Sequence, residues 1–479
     1  MIVLVTPARG SEIVVDCARS IGGIRALHGV NMGPLDRGGL VDLSPYHRAL
    51  QIPLTRLHDC HWPNADVVDM HVVFPDSRAD PEKPESYDFV RTDAYVKAIV
   101  DGGSKVVYRL GESIEHGPDK RRQRPPADAE KWAAACLGIV RHYNQGWADG
   151  QRADIRYWEI WNEPDNRPNC WTGTDEDYFR LYATAAKAIK ARFPDVRVGG
   201  PAVGNVGRVE WHRDGVDLLR TGPEPLLLPS PFVEKFLAFC KREAVPLDFF
   251  SWHIYCDDPS ALAAHARGVR KLLDRAGFDK TESHLNEWNY LPDNDWGPVS
   301  LAGQGERRKR FVDRVGGAEG AAFAAGVLVA LQDCPLDAAN YFAADTGEFG
   351  LFDRYGSPHK SYYAFKAFRA LLDTPLRLDA TSDMPDLAVA AGTNRARDAV
   401  AALVVRRGGD APATTLRIQN LPWTGATVYE VVTVDAGHDL QPSGSGMLPA
   451  GTTRLELSLK APAVALVRLT PAPPAGSAP

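Results

Sequence analysis

Eight times between residues 24 and 372 a short β-branched or apolar run gives way to a longer stretch with apolar residues three and four apart. The predicted strands are 26–30, 54–57, 106–110, 155–161, 196–199, 249–254, 284–287 and 339–342. The predicted helices between them include 88–100, 129–145, 175–192, 231–243, 261–276 and 318–331. The third has a legible start: Thr174 stands at the cap position, and Asp175, Glu176 and Asp177 face the positive end of the helix dipole. Strand and helix alternating eight times specify a (β/α)8 barrel, whose chemistry is delivered by residues that end strands and open the loops beyond them.

At 479 residues the chain exceeds one ordinary core. Past residue 372 the helical period disappears. Short alternating stretches at 387–391, 399–405, 414–418, 427–434, 455–459 and 464–469 are punctuated by Gly, Pro, Asp and Asn, which predicts an appended β-sandwich. Residues 13–16 precede the first barrel strand without a partner there, so they are expected to join the sandwich. The expected division is an N-terminal segment at 1–20, the barrel at 21–370, the sandwich at 371–470, and a tail at 471–479 too poor in bulky side chains to pack.

Two strand ends carry the chemistry. Tyr157-Trp158-Glu159-Ile160-Trp161-Asn162-Glu163-Pro164-Asp165 closes the fourth strand, and Asn286-Glu287-Trp288-Asn289 closes the seventh. Each puts a glutamate directly after an asparagine at the mouth of the barrel. Two carboxyls in one pocket suit cleavage of a glycosidic bond with retention, one as acid and base and one as nucleophile, provided that their surroundings separate their proton affinities. The tryptophans around Glu163 would desolvate it and favour the protonated acid. Glu287, within expected reach of Arg56 and Tyr255, suits the ionised nucleophile, and Asn162 the 2-hydroxyl of the sugar.

The chain resembles glycoside hydrolase family 39, whose known members include β-xylosidases and α-L-iduronidases. The similarity runs beyond Trp161-Asn162-Glu163-Pro164 through Tyr178-Phe179-Arg180-Leu181-Tyr182, Val198-Gly199-Gly200-Pro201-Ala202, Ser251-Trp252-His253-Ile254-Tyr255, Asn286-Glu287-Trp288-Asn289, Gly350-Leu351-Phe352 and Lys360-Ser361-Tyr362-Tyr363-Ala364-Phe365. It implies Glu163 as acid/base, Glu287 as nucleophile, His253 and Tyr255 along the −1 subsite, and His58 as a further sugar contact. It also implies an exo-acting β-xylosidase without cofactor or metal, working on a small carbohydrate. One departure bears on specificity: family xylosidases usually carry a tryptophan near the end of strand eight, where this chain has Asn340-Tyr341-Phe342-Ala343. Other sugars, such as an α-L-iduronide, an α-L-arabinopyranoside or a β-galactoside, stay open, as does a carbohydrate-binding pseudo-enzyme.

Trp171 and Trp288 are candidates for stacking on a sugar ring. Glu159, lower in the fourth strand, is expected to pair with an arginine such as Arg109. His58 and His61, three apart on an extended segment, face opposite ways and make a poor joint metal site. The basic run at 120–124 reads as a solvated loop on the catalytic rim that could favour an acidic sugar. A formal charge of −6 gives no positive field for nucleic acid. Seven scattered cysteines, the absence of a basic leader at the start, and the absence of a long apolar run predict reduced thiols, a cytoplasmic protein and no membrane partner; homo-oligomerisation stays open.

Overall fold

A computed structural model describes residues 11–60, 67–210, 226–300, 303–409 and 413–473. The start of the chain read for a leader, His61, and residues 474–479 of the tail lie outside them. Eight parallel strands close into a barrel in the order Gly29–Asn31, Leu54–Leu57, Lys105–Leu110, Tyr157–Ile160, Arg197–Val203, Phe249–Cys256, Glu282–Tyr290 and Ala338–Tyr341. All eight predicted stations are there. The first is shorter than its apolar run: residues 24–28 leave the ladder, with His28 turned to the backbone oxygen of Leu50 at 3.1 Å.

Local chemistry sets the helix ends. Thr174 and Asp177 form a reciprocal capping box at the start of Asp175–Arg192. Asp128 caps Ala129–Gln145, which ends on Gly146 at φ 75°. Ala318–Ala330 is apolar nearly all round, as a helix held between two layers must be: one side meets the barrel and the other the second domain.

That domain is a nine-stranded mixed sheet in the order Asp439–Leu448, Thr427–Val434, Ala463–Pro471, Val400–Arg406, Leu387–Thr393, Leu376–Ser382, Ser11–Gly23, Ala413–Gln419 and Arg454–Ser458. Strand Ser11–Gly23 runs antiparallel to Leu376–Ser382 and parallel to Ala413–Gln419. Leu448 and Val431 from one end of the sheet share an apolar cluster with Leu455 and Leu457 from the other, so the sheet curls on itself as a sandwich does.

Strand Val400–Arg406 lacks the alternation of a half-exposed strand, and all seven of its residues are buried. Ala401, Leu403 and Val405 face the barrel with Val464 and Leu466, whereas Val400, Ala402 and Val404 face the sandwich core with Ala465 and Val467. Period-two alternation here divides two cores rather than core from water. The seam also carries ion pairs, Arg407 to Asp258 at 2.8 Å and Arg377 to Asp333 at 2.7 Å. Replacing the fully buried Leu403 by alanine should therefore cost roughly 2–5 kcal/mol and lower the midpoint of urea unfolding. An unchanged midpoint would mean that the sheet does not lean on the barrel.

Candidate active site

The two glutamates reach one pocket by different backbone devices. The fourth strand stops at Ile160, and the chain turns sharply through Trp161 at φ 71° and Glu163 at φ 42°. Left-handed backbone at two bulky residues is costly and persists only where the surroundings fix it. The Trp161 ring is buried edge-on against Trp171 at 4.9 Å, with its N–H donated to the Cys170 carbonyl at 2.7 Å. The Glu163 N–H is held by the Ala202 carbonyl at 2.9 Å.

In the seventh strand the ladder skips one residue: Trp252 pairs with Leu285 and His253 with Glu287, leaving Asn286 as a bulge. A bulge turns two successive side chains to one face. Asn286 and Glu287 thus both enter the barrel, Asn286 donating to Glu159.

Beneath the pocket lies Arg56 of the second strand, without solvent exposure. Its Nε donates to Glu159 at 2.6 Å, Nη1 to Glu287 at 2.7 Å and to Asn31 at 3.1 Å, and Nη2 to the Asn162 Oδ1 at 2.6 Å. One guanidinium thereby fixes a nucleophile-grade carboxylate, the asparagine beside the second glutamate, and an interior carboxylate. Glu159 does not pair with Arg109, contrary to the expectation from sequence. Those two residues are level in the ladder, but the Arg109 guanidinium reaches past its strand end to Asp69 at 2.5 Å and Ser113 at 3.2 Å.

One carboxylate oxygen of Glu163, one of Glu287 and a ring nitrogen of His253 lie within 4.8 Å of one another. His253 Nδ1 stands between the two acids, 2.8 Å from Glu163 and 3.4 Å from Glu287. Burial pushes the His253 ring down to about 4, so it is neutral at physiological pH. Tyr255 donates its hydroxyl to Glu287 at 2.8 Å, and His58 Nε2 lies 3.9 Å from the same carboxylate.

Burial raises the proton affinity of both glutamates; in Glu287 it is opposed by His253 and by the contact with Arg56. Around Glu163 the close donors are neutral: Asn166 at 2.8 Å and the Cys170 thiol at 3.8 Å. A carboxylate against a guanidinium and one among neutral groups differ in the direction that acid–base catalysis requires.

Glu163, Glu287, Asn162, Arg56, His58, His253 and Tyr255 thus converge. Trp171 and Trp288 do not offer a sugar-stacking face, contrary to expectation: both are fully buried. Trp171 buttresses Trp161, and Trp288, one residue past Glu287, points to the opposite side of its strand and packs on Tyr341 and Phe365. Other aromatic rings gather around Tyr255 instead. Trp296, 49% exposed, meets Tyr255 at 5.0 Å and Phe349 at 6.0 Å, and Phe342, just past strand eight, meets Tyr255 at 6.4 Å. Only the position of Phe342 at a strand end signalled its place. The segment at 120–124 folds onto its own loop, where Lys120 donates to the Glu115 carbonyl and the Arg122 N–H to the Glu115 side chain.

The sequence profile of glycosyl hydrolases family 39 matches residues 59–410. The chain belongs to that family. Among related proteins, a β-xylosidase from Geobacillus stearothermophilus is 25% identical over 312 residues, covering 61% of this chain and 54% of its own. A β-xylosidase from Caldicellulosiruptor saccharolyticus is 25% identical over 339 residues, covering 63% and 60%. The family 39 chain thus spans little more than half the length of these relatives. A solved glucosidase structure from Croceicoccus marinus matches 97% of the chain and 99% of its own, with a TM-score of 0.77 and 26% identity.

The Arg56 contacts give a two-part expectation for this family 39 site. Arg56→Met should destabilise the fold by roughly 3–5 kcal/mol, because it strands Glu159 and Glu287 as buried charges. It should also move the acid limb of the kcat/KM profile to higher pH, since Glu287 loses the cation that favours its ionised form. Thermal unfolding and the pH profile measure the two effects separately.

Proposed function

We propose that this protein is a cofactor-free, retaining, exo-acting β-glycosidase, with β-xylosides at the ends of short oligosaccharides as the leading substrate. The observation that carries the reading is the approach of the Glu163 and Glu287 oxygens to within 4.8 Å. Retaining pairs stand about 5–5.5 Å apart, whereas inverting pairs leave about 6.5–9.5 Å for a water. The names of the two β-xylosidase relatives support the sugar.

In the first step Glu287, held ionised by Arg56, attacks the anomeric carbon while Glu163 gives its proton to the departing oxygen. In the second, Glu163 takes a proton from a water that displaces Glu287, and configuration is retained. Asn162, its Oδ1 occupied by Arg56, has its amide N–H2 to offer to the 2-hydroxyl, a contact that strengthens as the ring flattens. Tyr255 and His58 hold the nucleophile face, and Trp296, Phe342 and Phe349 supply the apolar wall. A second reading, a β-glucoside, is favoured by the glucosidase neighbour, which matches nearly the whole chain. Seven buried, unpaired cysteines support a reducing compartment. No helix among the described residues is by itself long and apolar enough to cross a membrane.

Nitrophenyl β-xyloside, β-glucoside, β-galactoside, α-L-arabinopyranoside and α-L-iduronide separate the candidate sugars; xyloside should lead in kcat/KM. Glu287→Gln should fall by at least about 10⁴-fold on every substrate, since the nucleophile is gone. Glu163→Ala should lose roughly 10²–10⁴-fold on poor leaving groups, far less on dinitrophenyl ones, and form a β-glycosyl azide when azide is added. A product of inverted configuration by NMR would remove the mechanism.

A further inference from the structure

The fourth-strand motif contains a second carboxyl that the mechanism does not use. Asp165 lies two residues beyond Glu163 and is turned away from the pocket. Its Oδ1 accepts the Gly204 N–H at 3.0 Å and its Oδ2 the Asn205 N–H at 2.9 Å, both in the loop after the fifth strand. With the Glu163 N–H on the Ala202 carbonyl at 2.9 Å, three hydrogen bonds join the loop after strand four to the end of strand five and the loop beyond it. Both partners of the last bond are left-handed, Glu163 at φ 42° and Ala202 at φ 51°. At Gly204 a Cβ would sit 2.8 Å from the Glu163 Oε1, so the loop presses directly on the acid/base.

We infer that Asp165 is a positioning residue for the acid/base: its carboxylate clasps the loop after strand five against Glu163. The inference rests on the reading of Glu163 as acid/base. Removing the clasp frees the Gly204 backbone, and the strained turn that aims Glu163 loses its support.

Burial and then the charge of Glu163 push the Asp165 carboxyl up to about 7, against the pull of its backbone N–H groups. Two carboxyls this close do not both ionise readily. Asp165 is thereby held back from ionising, so the clasp acts through the two N–H bonds that it accepts and not through its charge. Glu163 is also faced by His253, Arg56, Glu287, Tyr255 and Cys170, and Asp165 by Tyr178 and Cys170.

The test uses Asp165→Asn and Gly204→Ala in the full chain, with dinitrophenyl and phenyl glycosides of the sugar that the wild type cleaves best. For Asp165→Asn, kcat/KM on the phenyl glycoside should fall about a hundredfold and on the dinitrophenyl glycoside within about threefold, because only the former needs the acid. Gly204→Ala should show the same dependence on leaving group. Equal losses on both substrates, or failure of both variants to fold, would make Asp165 a purely structural group and overturn the inference. A wild type inactive on every glycoside would overturn the earlier reading and this one together, whereas an active wild type with equal losses overturns this one alone.

Discussion

A single buried cation organises the mouth of this barrel. Arg56 has no solvent to share its charge with, and each of its nitrogens is matched by an oxygen from another strand or loop: Asn31 from the first, Glu159 and Asn162 from the fourth, Glu287 from the seventh. A buried guanidinium left unmatched would cost several kcal/mol, so these strands have little freedom to shift relative to one another. The geometry of the pocket follows from that constraint. Asn162 cannot move without disturbing Arg56, and Glu163 is its chain neighbour. The interior arginine and its carboxylate partners at this level thus set where the two glutamates of the pocket stand.

Above that layer the site divides into a polar half and an aromatic half. His58, His253 and Tyr255 surround the carboxyls, and Trp296, Phe342 and Phe349 stand behind Tyr255. A pyranose has hydroxyl edges and apolar C–H faces, so the division matches the ligand class. Tyr255 belongs to both halves: its hydroxyl tethers Glu287, and its ring meets Trp296, Phe342 and Phe349.

Much of this was legible in the sequence because barrel strands deliver function by position. An asparagine-glutamate pair at the end of an apolar run must project into the mouth once eight such runs are counted, and both pairs do so. Less legible was anything governed by one residue of register or by reach. Trp288 is adjacent to Glu287, yet the parity of a strand sends it into the outer core, and Trp171 is consumed in supporting the turn at Trp161. The pairing of Glu159 depended on whether a long arginine side chain stays at its own level or climbs, and Arg109 climbs to Asp69. Trp296 sits in a loop without periodicity, so no pattern in the chain assigned it a direction. The bulge at Asn286 leaves no trace in composition, although it is what lets two successive polar side chains enter the barrel.

Strand Ser11–Gly23 takes an interior place in the second sheet, flanked by strands that begin at residues 376 and 413. During synthesis this first strand emerges from the ribosome hundreds of residues before either neighbour, and its apolar side chains wait without cover while the barrel is made. Long-range pairing of this kind closes slowly and late. The fold is therefore sealed from both ends at once, and a chain truncated after the barrel would leave its opening strand and one flank of the barrel as adhesive surface for other nascent chains.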